Sequence, residues 1–268
     1  MSSYTLGIIF VIVSTMLAVA GMLLVRKRVG VESLTSYHEV AGYLLSVIGT
    51  LYAVLLGFVV VDAMGKQQEL RVIIEHEASG VANIFLSSYG LSDLESRKRL
   101  QDLCYEYAVE VINDEWPAME RGTYSPSAFS CAWKLWKEIG NLETGSEKEE
   151  SVRQQILSEM CQMTENRRTR LITAGAGLSP VMWAVLIIGG VFTVLFTYFF
   201  GVKSVLAQII MTVLVAMTLA LNVFLVFVFA YPLSGDLAVK PDAFKMDLLI
   251  FKHFDSGRIP VGEALPSR

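Results

Sequence analysis

The chain is poor in cysteine: Cys104, Cys131 and Cys161 are an odd number with no short spacing between them. That pattern excludes a disulfide framework and a cysteine-built zinc site, and unpaired thiols suit a reducing compartment. Histidine is equally scarce, at three residues, which argues against a histidine metal centre. A basic excess is missing too: 22 Lys and Arg stand against 26 Asp and Glu, so no nucleic-acid partner is expected. No nucleophile elbow, HExxH or kinase-type motif occurs, and Gly175 and Gly177 of TAGAGL lack the strand that must precede a phosphate loop. Nothing argues for an enzyme, and no cofactor or metal is expected. Period-two alternation is absent as well, so the fold is expected to be helical.

What the chain does have is apolar length. Hydrophobic residues make up 53% of it, above the roughly 45–50% of soluble domains. The excess falls into four blocks, with a polar segment between the second and third. About 20 apolar residues cross a bilayer as a helix. The spacing therefore predicts an all-α integral membrane protein with spans near 4–25, 40–61, 180–200 and 205–230. A helical extramembrane domain over 63–177 is inserted between the second and third spans, and a tail covers 232–268. The first span is too long for a signal-peptide core and lacks a basic start, so it reads as retained.

The second span carries a pattern. Gly42, Ser46, Gly49, Ala53 and Gly57 recur at steps of 4, 3, 4 and 4, which places them on one helical face. Such a face is either a packing seam inside one subunit or the wall of a pore in an oligomer. If it packs outward instead, Leu45, Ile48, Tyr52 or Leu55 supplies an apolar constriction. Beyond Asp62 no proline interrupts the chain to Tyr89, and Leu70, Ile73, Ile74, Ala78, Val81, Ile84 and Phe85 continue at helical spacing. This predicts a continuation of about 40 Å. Gly90 reads as its stop and Ser92 or Asp93 as the next cap.

A helix is then expected from Asp93 to Glu115, burying Leu94, Leu100, Leu103, Tyr107 and Val111, with Pro117 breaking it. A short helix follows over Ser127–Ile139. Its Trp133 and Trp136 serve interfacial anchoring or packing between helices. Another runs from Glu147 through ENRRTRLITAG. In the fourth span Asn222 is expected to hydrogen-bond across helices. The tail segment PDAFKMDLLIFKHF reads as an amphipathic helix near the surface.

Glu75, His76 and Glu77 form the densest ionisable cluster near the spans, but neighbours one and two apart do not share a helical face and cannot chelate a metal together. The expectation is a partly buried ion pair between Glu77 and one of Arg167, Arg168 and Arg170. The alternative is that these arginines gather anions at a pore mouth. His38 reads as a pH gate or an ordinary interfacial histidine. Near the spans, Arg26, Lys27, Arg28 and Lys203 lie on one side. Lys66, Arg71, Arg167, Arg168, Arg170, Lys240 and Lys245 lie on the other, a total that favours a cytoplasmic middle segment, whereas the dense short loop of Arg26, Lys27 and Arg28 points the other way.

The order of motifs carries a resemblance: HEVAGYLLSVIGTLYAVLLGFVVVD, EHEASGVANIF, NDEWPAM, ENRRTRL, PVMW and YPLSGDLAVKPDAF. Over nearly the whole chain this resembles the bestrophin-like domain family of bacterial membrane proteins. That implies a distant similarity to bestrophins, which are pentameric anion channels with four spans per subunit and second spans lining the pore. The resemblance thus implies a homo-oligomer in the inner (plasma) membrane that conducts ions, chloride among them. Bestrophins gated by calcium carry a dense acidic cluster after the last span. Here only scattered Asp236, Asp242, Asp247 and Asp255 occur, so calcium gating is not expected. The alternative reading is a non-conducting membrane scaffold or sensor whose helical domain binds a partner.

Overall fold

Four helices of the chain are long and apolar enough to cross a membrane. The computed structural model describes residues 3–29, 38–175, 177–233 and 235–255, and every regular element among them is helical. In chain order they are α1 (Ser3–Val29), α2 (His38–Ser87), α3 (Leu94–Glu110), α4 (Trp116–Glu120), α5 (Pro126–Gly140), α6 (Glu147–Gly175), α7 (Pro180–Tyr198), α8 (Val205–Ala230) and α9 (Asp242–Asp255). The protein is an integral membrane protein.

Two compact units divide the chain. The first comprises residues 1–67 and 177–238, and the second 68–176 and 239–268. In the first unit, Met16, Leu17, Leu51, Phe58 and Leu206 are all exposed, a surface that only lipid or another subunit can cover. Its core is Tyr52, Leu56, Val59, Leu186 and Val226, with Trp183 and Leu55 packed against it. Helix ends here are fixed by polar caps. Ser179 accepts from the Met182 amide at the start of α7, where Pro180 needs no donor, and Ser204 accepts from Ala207 at the start of α8. Arg26, in the basic last turn of α1, donates to the Val202 carbonyl at 2.7 Å and to Gln208 Oε1 at 2.5 Å. The α7–α8 link is thereby tied to the end of α1. Asn222 corrects the expected interhelical bond: its amide donates to the Thr218 carbonyl of its own helix at 2.9 Å, a partner always in reach one turn back.

In the second unit, Leu70, Ile73, Ile74, Ala78, Val81, Ile84 and Phe85 of α2 are all buried, one continuous stripe. Asp93 caps α3, accepting from the Glu95 and Ser96 amides. Leu94, expected inside, is 69% exposed; as the first residue after the cap it lies ahead of the covered face, which Leu100, Cys104, Tyr107 and Ala108 form. Pro117 does not break the chain either. It sits in α4 directly after the π-turn, with helical backbone on its N-terminal side, and the chain turns at Gly122 with φ +74°. Between α3 and α4 the helix widens into a π-turn, Val111–Glu115.

The tryptophans of α5 divide their roles. Trp136 donates to Thr164 Oγ1 at 3.1 Å, while Trp133 is exposed with Lys137 over its ring. The tail helix α9 is more deeply seated than a surface helix. Phe244 and Phe251 are both buried, and Phe251 stacks on Phe85 with centroids 4.2 Å apart.

Candidate functional site

The apolar part of α2 presents three stripes. The first is packed: Tyr52, Leu56 and Val59 are buried, and Leu45, Ile48 and Leu55 half-buried. Tyr52 donates to the Leu186 carbonyl at 2.9 Å, and its ring lies where a Cβ on Gly189 would stand 2.5 Å away. Close approach of helices is thus achieved by the glycines of α7, a role for the GG pair in VLIIGGVF that the sequence reading did not assign. Of the residues named as an alternative constriction, Tyr52 belongs to this core and Leu55 packs against it, while Leu45 and Ile48 are half-buried.

The second stripe is the small-residue face, about a quarter turn away. Ser46, Ala53 and Gly57 are exposed, Gly42 and Gly49 half-buried. A Cβ built on Gly49 or Gly57 meets nothing within 4 Å, and one on Gly42 meets only Phe200 at 3.8 Å. Within one subunit this face is not a packing seam. The third stripe, Val47, Leu51, Val54 and Phe58, is large, apolar and exposed. The His38 side chain lies outside the described residues.

The second constellation is a charge network in the second unit. Glu77, Glu115 and Arg170 are fully buried and Arg167 nearly so. Arg170 holds Glu77 bidentately, Nε to Oε2 at 2.6 Å and Nη2 to Oε1 at 2.9 Å, and reaches Glu115 Oε2 at 2.5 Å. Arg167 Nη2 donates to the other oxygen of Glu115. Tyr107 donates its hydroxyl to Glu77 Oε1 at 2.6 Å, and Trp116 and Phe129 cover the two guanidinium groups. Two anions balance two cations. Each would cost several kcal/mol to bury alone, and bidentate, charge-assisted bonds offset that. Burial, followed by the charge of Glu77, pushes the Tyr107 hydroxyl well above its ordinary value, which keeps it a donor.

Of the three candidate arginines, Arg170 is the partner of Glu77, Arg167 belongs to the same network through Glu115, and Arg168 is exposed without an ion pair among the described residues. Glu75 and His76 are exposed. Glu115 was missed by sequence reasoning. Its signal is the acid immediately before Trp-Pro in NDEWPAM, where the π-turn spends an extra residue and aims the carboxylate inward. Among the described residues no three His, Cys, Asp or Glu side chains gather as a metal ion would require.

The sequence profile of the bestrophin-like domain matches residues 12–244. The chain belongs to the bestrophin-like family. Its fold is similar to crystal structures of a bacterial bestrophin homologue from Klebsiella pneumoniae. One point variant of that protein matches with a TM-score of 0.67 at 12% identity, over 89% of this chain and 99% of that one. A second variant gives 0.69 at 12% identity, over 90% and 98%. The structure of the homologue phased on zinc gives 0.65 at 11%, over 93% and 99%. No curated protein matches significantly. The bestrophin-like fold is therefore shared across nearly the whole chain at very low identity.

Proposed function

We propose that this bestrophin-like protein is a homo-oligomeric ion channel of the plasma membrane, a ring of five by resemblance. Gly42, Ser46, Gly49, Ala53 and Gly57 of each α2 line its axial pore. The observation that carries the reading is the open small-residue face beside a packed Tyr52 face. Family membership supplies the channel class. In this reading residues 63–177 form an extramembrane domain inserted between the second and third spans, on the cytoplasmic side. The third stripe of α2 meets a neighbouring subunit.

A wall of glycine, alanine and serine bears no fixed charge, so it selects by size, by dewetting and by dipoles, and we assign it anions. With Arg167 and Arg170 engaged in the buried network, only Arg168 remains free to gather anions at a pore mouth.

The test is cysteine substitution with the native thiols replaced by serine. Charged thiol reagents cut the current through Ala53→Cys and Gly57→Cys channels and leave Tyr52→Cys channels unaffected. Currents indifferent to modification at both Ala53 and Gly57 contradict the assignment.

A further inference from the structure

The tail helix α9 docks through a face that contains a carboxylate. Phe244, Asp247 and Phe251 are spaced at three and four residues, so they share one side of the helix, and all three are buried. Phe251 stacks on Phe85 of α2, and Phe244 meets Tyr107 of α3 edge to face at 6.4 Å between centroids. Two aromatic anchors thus carry Asp247 into an apolar joint. Asp247 is 6% exposed, and its Oδ2 has no hydrogen-bond partner among the described residues.

Among the described residues the charged groups around it offer no compensation. From α3, the buried Cys104 thiol faces Asp247. The Tyr107 hydroxyl of α3 is turned to Glu77. Glu77 of α2 and Glu115 of the π-turn are both held by Arg170. On α9 itself, Lys245 pairs with Asp242 at the exposed surface. A carboxylate in such a joint is costly when ionised and far less so when protonated.

We propose that α9 is a proton-operated latch, closed on α2 and α3 while the Asp247 carboxyl carries its proton and released when that proton leaves. Burial pushes this carboxyl up to about 7, whereas a released aspartate returns to its ordinary value near 4. Because the docked state holds its proton more tightly, docking is strongest below the released value. It weakens as pH rises from there through about 7 and is constant above. Between pH 5.5 and 8 the docking equilibrium falls on the order of 30-fold.

Cys104 lies under the latch and reports on it. In the intact protein in detergent, maleimide modification is read by mass spectrometry at Cys104, at exposed Cys161 and at buried Cys131. The expected result is a Cys104-to-Cys161 ratio that climbs tenfold or more from pH 5.5 to 8, with Cys131 unchanged. Asp247→Asn and Asp247→Leu, which place no charge in the joint, flatten that rise. A flat ratio in the wild type, a parallel rise at Cys131 that marks general loosening, or an undiminished rise in both variants overturns the proposal.

Discussion

Glu77 and Gly189 are the two positions at which single atoms decide most. Glu77 accepts two bonds from Arg170 and one from Tyr107 with no solvent to replace them. Its replacement by Gln leaves Arg167 and Arg170 sharing Glu115 alone, one buried positive charge in excess, and breaking one side of a buried pair costs about 3–5 kcal/mol. The expected outcome is a clear fall in the melting temperature of Glu77→Gln, against no measurable change for the exposed Glu75→Gln. Equal melting curves for the two variants contradict the role given to the network. At Gly189 an added methyl collides with the Tyr52 ring. Gly189→Ala is expected to cost about 1–3 kcal/mol, as overpacking does, and Tyr52→Ala in the same chain should remove most of that penalty. Additive losses in the double variant would show that the two side chains do not meet.

Elements in this chain are set by stripes and punctuated by caps. The long α2 was legible because its apolar residues repeat with the helical period and no proline interrupts them. Its inward acid could be paired with an arginine from ENRRTRL in advance, but which arginine could not, since Arg167, Arg168 and Arg170 differ only in where they fall around α6. The π-turn was illegible. Periodicity continues through it, and the single residue it gains is visible only in the backbone, yet that residue brings Glu115 to Arg170. The same turn is braced at Ser125, which caps α5 through the Ala128 amide and also donates to Asp114 Oδ2 at 2.5 Å. Ser125→Ala is expected to cost about 1 kcal/mol through the lost cap and to increase hydrogen exchange at the first turn of α5. Unchanged exchange there would remove the cap from the account. The burial of α9 also escaped the sequence, because an amphipathic helix with two phenylalanines on one side fits a membrane surface as well as a protein joint.

For the whole molecule, four spans and an all-helical fold were readable from hydropathy, and the motif order pointed to the family that the domain match places this chain in. The wall of a pore is a property of an assembly. A single chain bears on it only through what it leaves uncovered, and the proposed wall rests on the exposure of Ser46, Ala53 and Gly57. Two consequences belong to this scale. The purified protein is expected to run as a ring of about five subunits in detergent, and a monomeric mass would favour the scaffold reading. The measurement that bears most directly on the central proposal is a planar-bilayer recording of the wild-type protein under a chloride salt gradient. Discrete currents that reverse toward the chloride potential are the predicted result. Reversal toward the cation potential would refute the selectivity, and silence from protein shown separately to be correctly inserted would contradict the channel itself.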